Sequence, residues 1–387
     1  MTPDDIIYLD HAAATPCSVA VLRAMQPYLS DQFYNPSSPY APAVAVRRDY
    51  SEAKQRIAVT FGGRGDEVIV TAGATESINM ALSAAHDAHV VTSAIEHHAV
   101  LSTAKRYDHT LVEVNGRGMI DLDALAKAIT PRTQVVSIAL ANNEIGTVQP
   151  LREIAGIIKI ERIRRGESGD ATPIWLHTDA SQGVGQIDIN VARLGVDMMT
   201  LNAGKCYGPK QVGLLWRKAG VELHPLLYGG GQEQGLRSGT ENVAGTIGFA
   251  AALEHAERHR KAESKRLNDL RNRLEKTLRD KFPDMIISGN PKKRLPGSLH
   301  VAFPGLDAER LVFRLESRGV LVATGSACAA NSGTRSHVLT AIGMSDAEAD
   351  GSLRITLGAL SDESSIERSG TILCEEISAE WARIGLR

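Results

Sequence analysis

Cysteine, aromatic residues and a surplus of either charge are what this chain has little of. Four cysteines occur in 387 residues, at positions 17, 206, 328 and 374, with no C-x-x-C pair. That spacing argues against a disulfide framework or a zinc knuckle, and a reducing cytoplasm is the expected compartment. Lysine plus arginine (43) almost balance aspartate plus glutamate (45), leaving a formal net charge of −2. No basic field is present to hold nucleic acid or an anionic membrane, so neither is expected as a partner. Basic runs such as Ile160-Glu161-Arg162-Ile163-Arg164-Arg165 are mixed with acid on a helical pattern and read as a solvated face. No apolar run approaches the roughly 18 residues that span a bilayer. Met1-Thr2-Pro3-Asp4-Asp5 lacks the basic-then-apolar layout of a signal peptide. No metal site is expected.

What is present is alternation. Between about residues 60 and 216, short β-rich runs are separated by helical stretches: Glu67–Val70, Val90–Thr92, Leu111–Val114, Gln134–Leu140, Ile174–His177 and Met198–Leu201. Strands separated by helices predict an α/β fold with a mostly parallel central sheet covered on both faces. A long helix follows over about 241–281, with Leu267, Leu270, Leu274 and Leu278 at helical spacing. Beyond it lie a strand-like Ser298–Phe303, a helix near Ala308–Arg318 and a strand-like run around Arg354. A chain of this length favours two domains sharing a cleft. The expected division is a large α/β domain over 17–260 and a smaller α+β domain formed by 1–16 and 261–387.

In an open α/β sheet, ligands bind beyond the carboxyl ends of the strands. Thr75 starts a helix after the first strand, where free N–H groups suit a phosphate. His97, Asn143, Asp179 and Lys205 follow later strands. Each has an ordinary reading on its own: a cap, a surface residue, a turn. Together they supply a Schiff-base lysine, an acid for a pyridinium nitrogen, a ring to stack and a phosphate cup, the parts pyridoxal 5'-phosphate requires.

The ordered motifs are specific. Tyr8-Leu9-Asp10-His11-Ala12-Ala13, Asn35-Pro36-Ser37-Ser38, Gly73-Ala74-Thr75-Glu76-Ser77, Asn142-Asn143-Glu144-Ile145-Gly146, Gly229-Gly230-Gly231-Gln232-Glu233 and Leu353-Arg354-Ile355-Thr356-Leu357-Gly358 span nearly the whole chain. On these motifs the sequence resembles the cysteine desulfurases, within the aminotransferase class V group of fold-type I pyridoxal-phosphate enzymes. The resemblance implies that Lys205 forms the Schiff base and moves protons, that His97 stacks on the ring and serves as a catalytic acid or base, and that Asp179 pairs with the ring nitrogen. It implies that Asn143 and Gln182 contact the phenolic oxygen and that Ala74 and Thr75 bind the phosphate. Asn202 stands where the family commonly has another phosphate ligand. Thr240 resembles a residue given to the partner subunit's phosphate, which implies a homodimer with shared active sites.

Cys328 lies in Ala323-Thr324-Gly325-Ser326-Ala327-Cys328-Ala329-Ala330-Asn331-Ser332-Gly333, a composition suited to an exposed loop. By resemblance to the long-loop branch of the family, its thiolate takes sulfur from L-cysteine, leaving L-alanine and a persulfide for an acceptor protein in iron–sulfur assembly or tRNA thiolation. Arg354 would clamp the substrate carboxylate, with Asn143 beside it. Cys17, Cys206 and Cys374 are given structural readings. The alternatives are selenocysteine lyase or cysteine-sulfinate chemistry, a class V aminotransferase without need of a loop cysteine, and a non-catalytic relative that binds a partner. The chain departs from the family pattern beside the lysine, with Asn202 and Gly204 where Ser and His are usual, and at Ala14 and Tyr40. The loss of a side chain at Gly204 predicts weaker cofactor retention.

Overall fold

The computed structural model describes residues 6–325 and 335–385. Its main sheet has seven strands: β2 (Val68–Thr71), β3 (His89–Ser93), β4 (Asp108–Val112), β5 (Thr133–Ser137), β6 (Trp175–Asp179), β7 (Met198–Asn202) and β8 (Gly213–Arg217). They lie side by side in the order β2-β8-β7-β6-β5-β3-β4. From β7 to β4 every pairing is parallel, while β8 runs antiparallel to both β7 and β2. The mostly parallel sheet is thus as the alternation predicts. Strand β8 is the one the sequence reading does not single out. Its connection from β7 is short and contains no helical crossover, so the chain can only double back beside β7.

Strands β2, β3 and β7 are apolar because both faces are covered: β2 and β3 are buried throughout, and β7 everywhere except Asn202. Strand β4 begins three residues earlier than Leu111–Val114. It is an edge strand, largely solvent-facing at Asp108–Leu111, so its polar residues hide it from an apolar-run reading.

The helix Val243–Lys281 runs for 39 residues and joins two cores. Its first half buries Ile247, Phe249 and Leu253 with the helix Ala41–Phe61 in the core of the large sheet. Its second half buries Leu267, Leu270, Leu274 and Leu278 against a second core. That second core is built on an antiparallel sheet of β9 (Ile286–Ile287), β10 (Ser298–Ala302) and β12 (Ser352–Thr356), in the order β12-β10-β9. The helices Ala308–Ser317 and Glu363–Ile384 cover one face of it. A short parallel pair, β1 (Ile7–Tyr8) with β11 (Val320–Leu321), ties the N-terminal segment alongside.

The small sheet alternates with period two. Leu299, Val301, Leu353 and Ile355 point into the apolar core. Ser298, His300, Ser352, Arg354 and Thr356 take the opposite face and are buried there as well. No helix among the described residues is long and apolar enough to cross a membrane.

Candidate active site

The carboxyl edge of the large sheet gathers the titratable groups. Asp179 ends β6, Asn202 ends its neighbour β7, and Lys205 sits in the single 3-10 turn that follows. His97 lies just beyond β3 as the N-cap of the helix His98–Ala104. Its Nδ1 accepts from the Ala99 N–H at 3.1 Å, so the neutral ring carries its proton on Nε2. Burial holds the His97 pKa below the ordinary value; the charge of Asp179 opposes that and the charge of Lys205 adds to it. His97 therefore feels the charges of both Asp179 and Lys205.

A strap formed by residues 10–15 reaches Lys205 from the far end of the sequence. Lys205 Nζ donates to Ala12 O at 2.6 Å and to Ala13 O at 2.7 Å. Gln182 Nε2 donates to the same Ala12 carbonyl at 3.1 Å. The Thr15 hydroxyl donates to Gly204 O at 3.1 Å and accepts from Tyr207 N at 2.8 Å, which fixes the strap on the lysine turn. At the other end, Asp10 Oδ1 accepts from Arg354 Nη2 at 2.8 Å. The Arg354 side chain is 3% exposed and that of Asp10 is 19% exposed, so this is a largely buried ion pair and not a surface one. Arg354 Nη1 also lies 3.5 Å from Asn143 O. The strap thus connects the lysine of one sheet to the arginine of the other. The sequence reading includes Asp10 only as part of a motif and gives it no role.

The expected phosphate cup has suitable donors. Gly73, at φ +144° and with open space where a Cβ would stand, precedes the helix Ala74–Leu82, and no side chain caps that helix. Its first N–H groups, Ala74 and Thr75 among them, are therefore left for a ligand. A Cβ on Gly213 would lie 2.6 Å from the Gly73 backbone, so glycine at 213 lets β8 pass directly beneath this turn. Thr75 is exposed. Asn202 Oδ1 accepts from Gly204 N at 3.0 Å, leaving its NH2 end as a donor. A Cβ on Gly204 would meet only ordinary contacts, with the nearest atom at 3.4 Å, so the place is roomy. A lysine, a carboxylate, a neutral ring and an uncapped helix start form a donor set that fits pyridoxal phosphate. Thr240 is exposed on the loop beyond Arg237 and is not among these groups.

Two buried acids that the sequence reading does not single out support the edge. Glu96 accepts from Ser93 Oγ at 2.7 Å and from Ala139 N at 3.1 Å, and burial pushes its pKa up to about 7. Glu144 accepts from Ser336 Oγ at 2.5 Å. Burial raises its pKa too, with Ser336 and then Arg354 pulling the other way. Both acids sit in motifs whose neighbours, His97 and Asn143, are the more conspicuous residues.

Cys328 lies outside the described residues. Cys206 is buried and its thiol is pushed up to about 12 by burial, which makes it a packing residue. Burial also raises the thiols of Cys17 and Cys374. A cavity of about 970 Å³ opens against Lys205, with Gln182, Tyr207 and the helix face at His255 and His259 in its wall. His97, Asp179 and Arg354 do not line it, so it is not the space in which those groups meet.

The aminotransferase class-V family matches residues 7–368. The cysteine desulfurase IscS of Dictyoglomus turgidum is 40% identical over 363 residues, covering 91% of this chain and 89% of that protein. A solved NifS-like protein superposes with a TM-score of 0.88 at 32% identity, covering 97% of this chain and all of its own. The structure of SspA in complex with cysteine superposes with a TM-score of 0.76 at 34% identity, covering 90% of this chain and 98% of its own. The shared architecture is that of the fold-type I enzymes. The chain belongs to the aminotransferase class V family, among its cysteine desulfurases.

Proposed function

We propose that this chain is a pyridoxal-phosphate-dependent cysteine desulfurase that moves sulfur from L-cysteine to Cys328 and releases L-alanine. The observation that supports this reading is the gathering of His97, Asp179 and Lys205 at one sheet edge, tied through the strap of residues 10–15 to the buried Arg354 of the other sheet. When bound, the cofactor supplies an electron sink conjugated to the substrate's α-carbon. Asp179 would keep the ring nitrogen protonated, His97 would pack on the ring, and Asn143 and Gln182 would hydrogen-bond its oxygen. The N–H groups of Ala74 and Thr75, with Asn202, would hold the phosphate, and Thr240 would serve the partner subunit of a homodimer. Arg354 binds the substrate carboxylate and Lys205 carries protons at the α-carbon.

The Cys328 thiolate then attacks the substrate sulfur. An S–S bond forms, the C–S electron pair stays with carbon, and protonation of that carbon yields alanine. The persulfide passes to an acceptor protein of iron–sulfur assembly or tRNA thiolation; a cytoplasmic setting belongs to the same proposal. The solved SspA, a relative of this chain, is in complex with cysteine, which favours the substrate assignment.

The test is incubation with cysteine, following alanine and sulfide together, for the natural chain and Cys328→Ala. An absorbance band near roughly 400 nm reports the bound cofactor. The expected result is loss of alanine formation from cysteine in Cys328→Ala, with cysteine-sulfinate turnover kept. Equal loss on both substrates overturns the persulfide role, and a chain that stays colourless with added cofactor overturns the enzyme reading.

A further inference from the structure

His300 stands at the centre of β10 with no exposed surface. Neither of its ring nitrogens has a hydrogen-bond partner among the described residues. A buried polar group left unpaired is costly and uncommon, and asks for an explanation. Its position supplies one. His300 is the direct cross-strand partner of Arg354 in the antiparallel pairing of β10 with β12. Side chains of facing residues leave on the same side of the sheet, with Cβ atoms roughly 4.5–5.5 Å apart. That side is the polar one, away from Leu299, Val301, Leu353 and Ile355.

Arg354 has an unpaired atom of its own. Its Nη2 is held by Asp10 at 2.8 Å and its Nη1 lies 3.5 Å from Asn143 O, but the buried Nε has no partner. A lone N–H donor and a lone imidazole acceptor thus occupy the two halves of one cross-strand pair. Burial, with the charge of Arg354 added to it, pulls the His300 pKa down to about 3, so the ring is neutral and keeps a lone pair to offer. A carboxylate is gripped by two parallel N–H groups only when the guanidinium plane is fixed. Asp10 restrains Nη2 and the Asn143 carbonyl lies at the limit of a hydrogen bond from Nη1, which leaves the Nε edge of the plane unheld.

We propose that His300 is a positioning residue for the substrate: its imidazole, unbonded to Arg354 in this structure, turns to accept from Arg354 Nε when substrate binds and so sets the plane in which the guanidinium holds the α-carboxylate. The inference rests on the reading of Arg354 as the carboxylate clamp, and it adds the group that orients the clamp.

The test uses the cofactor-loaded enzyme and cysteine, with KM and kcat measured for His300→Leu, His300→Gln, Arg354→Gln and the double variant His300→Leu/Arg354→Gln. His300→Leu raises KM by about tenfold or more while kcat stays within about twofold. His300→Gln keeps an acceptor and restores most of the affinity. In the Arg354→Gln background, His300→Leu adds nothing further, because its effect runs through the arginine. An unchanged KM in His300→Leu overturns the proposal, as does an equal effect of His300→Leu in both backgrounds, which is what a purely structural role gives. Should His300→Leu fail to fold, His300→Met, whose unbranched chain fits irregular space, carries the same comparison. Arg354→Gln with an unchanged KM overturns the clamp reading itself and this inference with it. That arm tells the two failures apart.

Discussion

Each of the two main sheets encloses one histidine completely: His177 on β6 and His300 on β10. Burial pulls both pKa values down to about 3. There the likeness ends. His177 is satisfied on both sides, by Ser137 Oγ at 2.8 Å on β5 and by Thr200 Oγ1 at 2.9 Å on β7, and so stitches three strands together. His300 has no such partners among the described residues and faces Arg354 instead. The large sheet closes this histidine within itself and gathers Asp179, Asn202 and Lys205 at its carboxyl edge. The small sheet keeps an entire face polar and presents that face to the edge. Identical burial of the same residue type therefore carries a structural role in one sheet and a functional one in the other, and hydrogen-bond satisfaction separates them.

The sharpest test of this division sets one residue from each side against the other. Lys205→Ala removes the proposed proton carrier and lowers kcat by roughly 10²–10⁴ in steady-state assays, with the fold retained. Arg354→Gln acts on binding: losing the proposed charge-assisted carboxylate grip costs about 2–4 kcal/mol, so KM for cysteine rises by roughly 30- to 900-fold with kcat largely kept. A kcat loss in Arg354→Gln to match that of Lys205→Ala would break the division.

The two histidines come next. His177→Ala leaves a cavity and two unpaired hydroxyls, and lowers unfolding free energy by about 3 kcal/mol in urea titrations while KM stays unchanged. A KM rise in that variant would erase the contrast with His300. Acid probes both residues at once. Their folded pKa values lie below the unfolded value of about 6.5, so the unfolded chain takes up protons first and stability is lost as pH falls below that value. Between pH 7 and pH 5 each contributes a loss of about 2 kcal/mol, and His300→Leu should flatten the stability profile by that amount. The smallest effect concerns the roomy place beside the lysine. Gly204→Ser adds a donor toward the phosphate and strengthens cofactor retention by about 1 kcal/mol, roughly fivefold, read by dialysis against buffer. Natural protein that already holds its cofactor through long dialysis would remove the reason for that variant.

The legibility of these parts differs for physical reasons. Lys205, Asp179 and His97 can be read because a parallel sheet places its ligand edge at strand ends, and strand ends are visible as apolar runs that stop. Strand β8 escapes a sequence reading because a short reversal looks like any other connection. Strand β4 is displaced in such a reading because its edge position lets it be polar. Asp10 gains no role from sequence because its partner, Arg354, is 344 residues away. Glu96 and Glu144 pass unnoticed because nothing in a local run tells a buried acid from a solvated one.

The sequence by itself determined the family chemistry: the lysine, the acid, the ring and the glycine-led helix start occur in an order that only a strand-after-strand edge would use. It also determined the two-residue alternation of β10 and β12, which puts His300 and Arg354 on the polar face. Tertiary structure alone decided which residues meet. It brought the Asp10–Thr15 strap onto both Lys205 and Arg354, partnered one buried histidine, and set the other beside an arginine with a donor to spare. Pattern along a chain follows from backbone geometry, whereas partnership across it depends on the packing of distant elements, and no local spacing encodes that.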